Sequence, residues 1–211
     1  MKAGMKKCIS YLLTAVFVIS AVLSAGGLQK KQVRAAEKFQ IHFIDVGAGD
    51  AALLQYGDGD SARYALIDAG PDYYTRTNGS KVDTSERVHK YLTDHKVTKL
   101  EFVLLTHPHR DHIAGMINIL EDENIKIDKI YGNNFDLRYS SSGNQDPDDI
   151  EDTEFSSEVY EAVKAAINVR TDTGETVYEV PAAGNSISLG NAKITFYGRS
   201  IWILHTEEKL I

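Results

Sequence analysis

Apolar and polar positions change rhythm several times along the chain. Residues 1–7 carry Lys2, Lys6 and Lys7, and residues 9–25 are apolar apart from Ser and Thr, the layout of an export signal. A polar spacer follows to Arg34. Residues 39–46 (FQIHFIDV) then alternate, which predicts a strand, and Gly47-Ala48-Gly49-Asp50 is a turn into a second strand over 51–56. A third strand over 63–67 ends in Asp68-Ala69-Gly70-Pro71, so this opening reads as a small antiparallel sheet. From Thr84 the period changes, with Val88, Tyr91, Leu92 and His95 at helical spacing. Residues 100–105 are almost continuously apolar, as in a strand buried on both faces. Ile113, Met116, Ile117 and Leu120 predict one amphipathic helix, and residues 125–131 the next strand. The polar stretch 136–154 reads as an exposed loop, and 156–169 as a helix with Val159, Ala162, Val163, Ala166 and Ile167 on its inner face. Strands over 177–180 and 187–197, around Gly184 and Gly190, close the pattern. A β-rich opening followed by alternating helices and strands makes an α+β chain; no internal repeat is present.

Small residues at Ala35 and Ala36 follow the spacer, so signal cleavage is expected near Ala35, with 1–35 as signal peptide and spacer. An uncleaved anchor is the alternative, because the apolar run lies near the lower limit for spanning a bilayer. Both readings put the rest of the chain outside the cytoplasm, secreted or held at the outer face of the membrane. Cys8, the only cysteine, lies within the signal. No disulfide then supports the mature domain, and a packed core must do so. The first 35 residues hold six of the 23 basic residues and none of the 30 acidic ones, which leaves the mature chain with a net charge of −13. Such a surface repels polyanions at long range. A nucleic-acid substrate needs a local basic patch or bound metal ions to offset it, and no run of Lys and Arg supplies that patch. The acidic group Asp146, Asp148, Asp149, Glu151 and Asp152 fits no calcium-loop spacing and reads as a solvated lead-in to the next helix.

Candidate chemistry concentrates in Thr106-His107-Pro108-His109-Arg110-Asp111-His112. Imidazole and carboxylate are ligands that a borderline divalent ion such as zinc accepts. In extended backbone, residues two apart point to one side, and Pro108 biases His107 away from helical geometry, so His107 and His109 can share one ion. Asp111 and His112 fall at the turn into the next helix and can face a second. A pair of ions so placed can activate a hydroxide at neutral pH while polarising the bond to be cut. The competing reading is structural: histidines gathered on a surface loop, with Asp111 as a helix N-cap. Delivery of four ligand-type residues to the C-terminal end of a buried strand favours the metal site, since open sheets place their sites there.

HFIDVGAGDAALLQ (42–55), LIDAG (66–70) and LLTHPHRDHIAG (104–115) occur in that order, the last containing H-x-H-x-D-H. This set resembles the metallo-β-lactamase superfamily, and within it the ComEC-like hydrolase domain of the DNA-uptake competence protein and its free-standing relatives. The likeness covers about residues 39–197. It implies a four-layer αββα sandwich with two divalent ions, zinc or manganese, at one edge between the sheets. His107 and His109 would bind the first ion, and Asp111 and His112 the second, the latter two carrying the catalytic roles. Asp68 would orient a ligand histidine. Asp45 and Asp50 flank the first turn near the same face, where ordinary turn chemistry explains them equally well. His42 is expected only to pack on its strand, and His89 and His95 to lie on a helix surface.

The pattern departs from those relatives after residue 198. They continue with a strand ending in Gly-Asp, whose carboxylate bridges both ions, and later with a His-His-Gly-Ser loop. Residues 199–211 (RSIWILHTEEKLI) contain neither, and His205 has no family context. The expectation is therefore a partial domain over 36–198, the N-terminal half to two-thirds of the fold, with a divergent tail over 199–211 and an incomplete second metal site. A half-sandwich should leave its inner sheet face bare, inviting self-association or a complementing C-terminal half. Three functions follow: phosphodiester or DNA hydrolysis, hydrolysis of a lactam, lactone or thioester by the same chemistry, and an inactive remnant.

Overall fold

The computed structural model describes residues 38–132 and 156–197, together with the backbone of 202–206. The signal-like segment and the polar stretch 136–154, with its acidic group, lie outside the described residues. Three strands open the domain as the alternation predicts: β1 (Phe39–Phe43), β2 (Ala52–Tyr56) and β3 (Arg63–Ile67). They are antiparallel neighbours, but they do not form a sheet of their own. Strand β3 pairs in parallel with β6 (Lys99–Leu105), β6 with β7 (Lys126–Gly132), and β7 with β8 (Val177–Glu179). The result is one mixed sheet in the order β1-β2-β3-β6-β7-β8.

Helices α1 (Arg87–Asp94), α2 (Arg110–Ile113), α3 (Met116–Glu121) and α4 (Ser157–Asp172) belong to this domain. Val88, Leu92, Met116, Ile119, Val163 and Ile167 form one apolar cluster with Leu53, Leu66, Val103 and Ile130 of the sheet. On the opposite face, Leu54, Ala65, Ile67, Phe102, Leu104 and Tyr131 meet Leu189, Ile194 and Phe196. Those last three residues come from β9 (Ser186–Leu189) and β10 (Ala192–Phe196), which form a second sheet with β11 (Trp202–Thr206). The inner face is thus not bare, contrary to the expectation for a half-sandwich, because these short strands cover its centre. Among the described residues, apolar side chains stay exposed at the β1 edge, where Ile41 is 40% and Phe43 85% exposed. Both sit opposite β2 residues, Leu54 and Ala52, that pack on this second cluster.

Three local features differ from the pattern-based reading. The single helix expected over 113–120 is broken between α2 and α3. Gly115 lies so close to β3's end that a Cβ there would stand 2.2 Å from the Ala69 carbonyl oxygen, and its N–H donates to Gly70 O at 2.9 Å. A strand-end contact, not helical periodicity, decides the backbone at that point. On α4 the buried face contains Tyr160 with Val163, Ala166 and Ile167, while Ala162 is exposed. Ser156 is the N-cap, its hydroxyl accepting from Val159 N–H at 3.4 Å. Finally, a two-stranded ribbon, β4 (Tyr73–Thr75) with β5 (Lys81–Asp83), stands apart from both sheets. Among the described residues no helix is long and apolar enough to cross a membrane.

One side chain closes the C-terminal end of α3. The Arg170 guanidinium, from the last turn of α4, donates to the carbonyls of Leu120, Ile119 (3.3 Å), Asp122 (2.5 Å) and Ile125 (3.2 Å). Helix ends leave such carbonyls without intrahelical donors. Replacing Arg170 by Met keeps the apolar stem but removes every donor. The expected cost is about 2 kcal/mol, read as a lower urea midpoint with an unchanged slope.

Candidate metal centre

Strands β3 and β6 run side by side in parallel, so their C-terminal ends bring Asp68 beside Thr106 and the loop that follows. Asp68 adopts a left-handed backbone, φ 53°, a conformation that Asp tolerates better than most residues. It is also buried, at 1% exposure. Its carboxylate has three donors: Thr106 N–H to Oδ1 at 2.9 Å, and Thr106 Oγ1 at 2.6 Å and His112 Nδ1 at 2.8 Å to Oδ2. That many donors compensate the burial of the carboxylate.

Proton positions follow from this. Thr106 has one hydroxyl proton, and Asp68 takes it, so Thr106 Oγ1 accepts from His107 Nδ1 at 2.9 Å. His107 therefore carries its lone pair on Nε2, which faces His109 Nδ1 at 3.1 Å. His112 gives Nδ1–H to Asp68 and turns Nε2 toward Asp111 Oδ2 at 3.6 Å and Asp50 Oδ2 at 4.0 Å. The His107 ring centroid is 4.0 Å from that of His112 and 4.4 Å from that of His109. His107, His109, Asp111 and His112 thus come to one place. Asp111 is not the N-cap of α2; His109 holds that position and Asp111 lies in the first turn.

Electrostatics separates the histidines. Burial, then the neighbouring His112 and His109, push the His107 pKa below the ordinary histidine value. Burial also opposes charge on His112, but the Asp68 hydrogen bond and the charges of Asp68, Asp111 and Asp50 outweigh it and raise its pKa.

Among the described residues no three His, Cys, Asp or Glu side chains already stand in an ion-holding arrangement. The donor set nevertheless fits a divalent ion. Asp111 Oδ1 is buried with no hydrogen-bond partner, an arrangement that costs free energy unless something else satisfies that oxygen. It lies in a cluster of imidazole and carboxylate groups, the ligand types zinc and manganese accept.

Close backbone approach builds this cluster. Gly49, at φ 74°, lies against Asp111, where a Cβ would stand 1.9 Å from the carbonyl oxygen. Gly70 lies likewise on Val46. Ala69 N–H donates to His112 O at 2.8 Å, and Gly70 N–H to Asp50 O at 3.0 Å. Asp45 serves its turn, accepting from Gly47 N–H at 3.0 Å and pairing with Arg87 at 3.3 Å. Asp50 goes further, since its carboxylate reaches His112. The remaining histidines engage partners of their own. His42 Nδ1 is 2.8 Å from Tyr91 Oη, more than the simple packing expected of it; His89 pairs with Asp122 at 2.8 Å, and His95 stacks on Tyr91 at 4.0 Å. His205 lies on β11 in register with Lys193. Thr106 escaped the sequence reading because a hydroxyl beside a ligand-rich loop carries no pattern.

Residues 63–198 match the family described as Beta-lactamase superfamily domain, and the chain belongs to that superfamily, whose members are hydrolases. Its mixed α+β architecture around a central sheet is the metallo-β-lactamase fold. No curated protein matches the chain by sequence. Solved structures similar to it include a diphosphatase from the PhnP family, with a TM-score of 0.35 and 14% identity over 70% of this chain and 42% of that one. Another is a subclass B3 metallo-β-lactamase isolated from a soil metagenome library, with a TM-score of 0.42 and 13% identity over 82% of this chain and 57% of that one. The chain therefore spans about half the length of each.

Two substitutions probe the cluster, and a third, at Gly59, is the control for the first. Gly49→Ala must move the Asp111 backbone, with an expected loss of at least about 2 kcal/mol. Gly59→Ala, where φ is 62° but nothing lies within 4 Å, should cost only about 1 kcal/mol; thermal melts of both variants compare the two. Asp68→Asn keeps the shape but removes the charge, so the His112 pKa in metal-free protein should fall, as followed by NMR titration. Because Asp68 raises that folded-state value, the contact stabilises the metal-free fold below the ordinary histidine pKa. The gain disappears as pH rises through the raised value. Zinc affinity of Asp68→Asn should drop about 10- to 100-fold, by calorimetric titration.

Proposed function

We propose that the chain is a metal-dependent, ComEC-like hydrolase of phosphodiesters, with DNA as a substrate, working outside the cytoplasm after export. The observation that carries this reading is the gathering of His107, His109 and His112 beside Asp111, whose Oδ1 is buried without a partner. In this reading His107 and His109 hold one divalent ion, zinc or manganese, and Asp111 and His112 hold a second. When bound, the ions make water acidic enough to act as a nucleophile and polarise the bond that breaks. The chain's own groups prepare that chemistry. Asp68 keeps a proton on His112 Nδ1, and through Thr106 on His107 Nδ1, which leaves Nε2 of His107 toward His109 and Nε2 of His112 toward Asp111 and Asp50. The carboxylates of Asp111 and Asp50 bring negative charge to His112 and favour cations there.

The order of the three motifs over 42–115 supports phosphodiesters as the substrate class. A second reading, hydrolysis of a lactam, lactone or thioester, draws on the net charge of −13 in the mature chain, which repels a polyanion. Incubation of the purified chain with zinc or manganese and single-stranded DNA separates the two. Cutting that a chelator abolishes is expected, and His109→Ala should lower it at least about a hundredfold, more than the loss of a supporting partner does. Cleavage of a lactam or thioester with DNA left intact would move the assignment to the second reading. Inertness toward all of these, with no zinc bound in calorimetry, would overturn both.

A further inference from the structure

Beside the metal-ligand cluster, the β4–β5 ribbon gathers positive charge. Tyr73, the first residue of β4, has the Arg110 guanidinium 3.5 Å and Lys81 Nζ 3.9 Å from its ring centroid. Arg110 stands between His109 and Asp111 in the ligand loop, so this stack adjoins the candidate metal centre. Asp72 holds Arg110 Nη2 at 2.6 and 2.8 Å. One carboxylate thus balances one cation, and among the described residues no carboxylate pairs with Lys81. A ring attracts a cation, but two like charges drawn to one ring repel each other. Tethering the ribbon needs only Arg110, Asp72 and Tyr73. Lys81 adds a second positive charge to the ring on which Arg110 is stacked, in a mature chain whose net charge is −13.

We propose that Arg110 and Lys81, gathered on the Tyr73 ring, form a phosphate-binding wall that gives the site its preference for phosphodiesters over uncharged esters. The inference rests on the hydrolase reading above and adds the substrate-selecting residues to it. Asp72 and the ring fix the guanidinium plane, and a fixed planar donor suits phosphate oxygens, while Lys81 supplies a point charge. The wall also supplies the local basic patch that a strongly acidic chain needs for an anionic substrate. No linear run of basic residues announces it, because the fold assembles it from distant positions.

Two measurements on the full chain test the wall. The first is fluorescence anisotropy of fluorescein-labelled oligo(dT) with the metal chelated, across a range of sodium chloride concentrations. Lys81→Ala should weaken binding about fivefold and lower the slope of log affinity against log salt by about one. Lys81→Glu should weaken it further, and Lys81→Arg should restore it. The second is the ratio of kcat/KM for bis(4-nitrophenyl) phosphate to that for 4-nitrophenyl acetate in zinc-loaded protein. That ratio should fall about tenfold in Lys81→Ala and again in Arg110→Gln. Oligonucleotide binding absent from the wild type, or equal in strength and salt slope in Lys81→Ala and Lys81→Glu, would overturn the wall. A wild type that cleaves neither ester would instead overturn the hydrolase reading, and the anisotropy would still decide the wall.

Discussion

The buried carboxylate of Asp68 is the constraint on which the rest of the site depends. A charge removed from water is costly unless it is fully hydrogen bonded. Here a peptide N–H, a hydroxyl and an imidazole share that task. All three donors come from the 106–112 segment, so satisfying one side chain folds the loop after β6 back over the end of β3. Asp68 N–H itself donates to Leu104 O at 3.0 Å, which extends the strand pairing right up to the turn. Three donors and the left-handed backbone together leave Asp68 a single orientation. From it follow the tautomers of His107 and His112 and the direction in which each Nε2 points.

Absence of side chains matters as much as their presence. Gly49, Gly70 and Gly115 each occupy a point where two loops touch too closely for a Cβ. The β1–β2 turn, the segment after β3 and the loop after β6 are thereby locked together at the C-terminal edge of parallel strands, where sheets of this kind carry their sites. Behind them, the core on the helical face holds α1, α3 and α4 in place, and Arg170 ties α4 to the end of α3. The chemistry sits on loops, and the loops sit on strands that hardly meet solvent.

Much of this was legible in the amino-acid pattern. Alternation marked β1 to β3, the apolar run 100–105 marked β6, and the 107–112 motif marked the cluster that the fold assembles. What escaped notice shares a physical origin. The β4–β5 strands are three residues long and carry no usable period; Tyr73 on Arg110 and Tyr74 on Gly47 hold them in place, and such tertiary contacts leave no trace in a linear window. The break before α3 falls at Gly115, whose close approach to Ala69 fixes the backbone there. Ala162 fitted the apolar stripe of α4, but the buried face is made by Tyr160, Val163, Ala166 and Ile167, and Ala162 is exposed. The cover over the inner face came from β9 and β10, which were readable as strands, while the sheet they would pack against was not. Thr106 and Lys81 acquire meaning only through neighbours far away in the chain.

Successive side chains of a strand point to opposite sides, and β4 uses that alternation on two different neighbours. Tyr73 grips the ligand loop through Arg110, while Tyr74 lies on Gly47 of the first turn, with the Arg87 guanidinium 5.9 Å from its ring. The ribbon therefore touches the first turn and the histidine loop at once. Those two segments already meet directly at Gly49 and Asp111, so a tilt of the ribbon would load two segments that are in contact with each other.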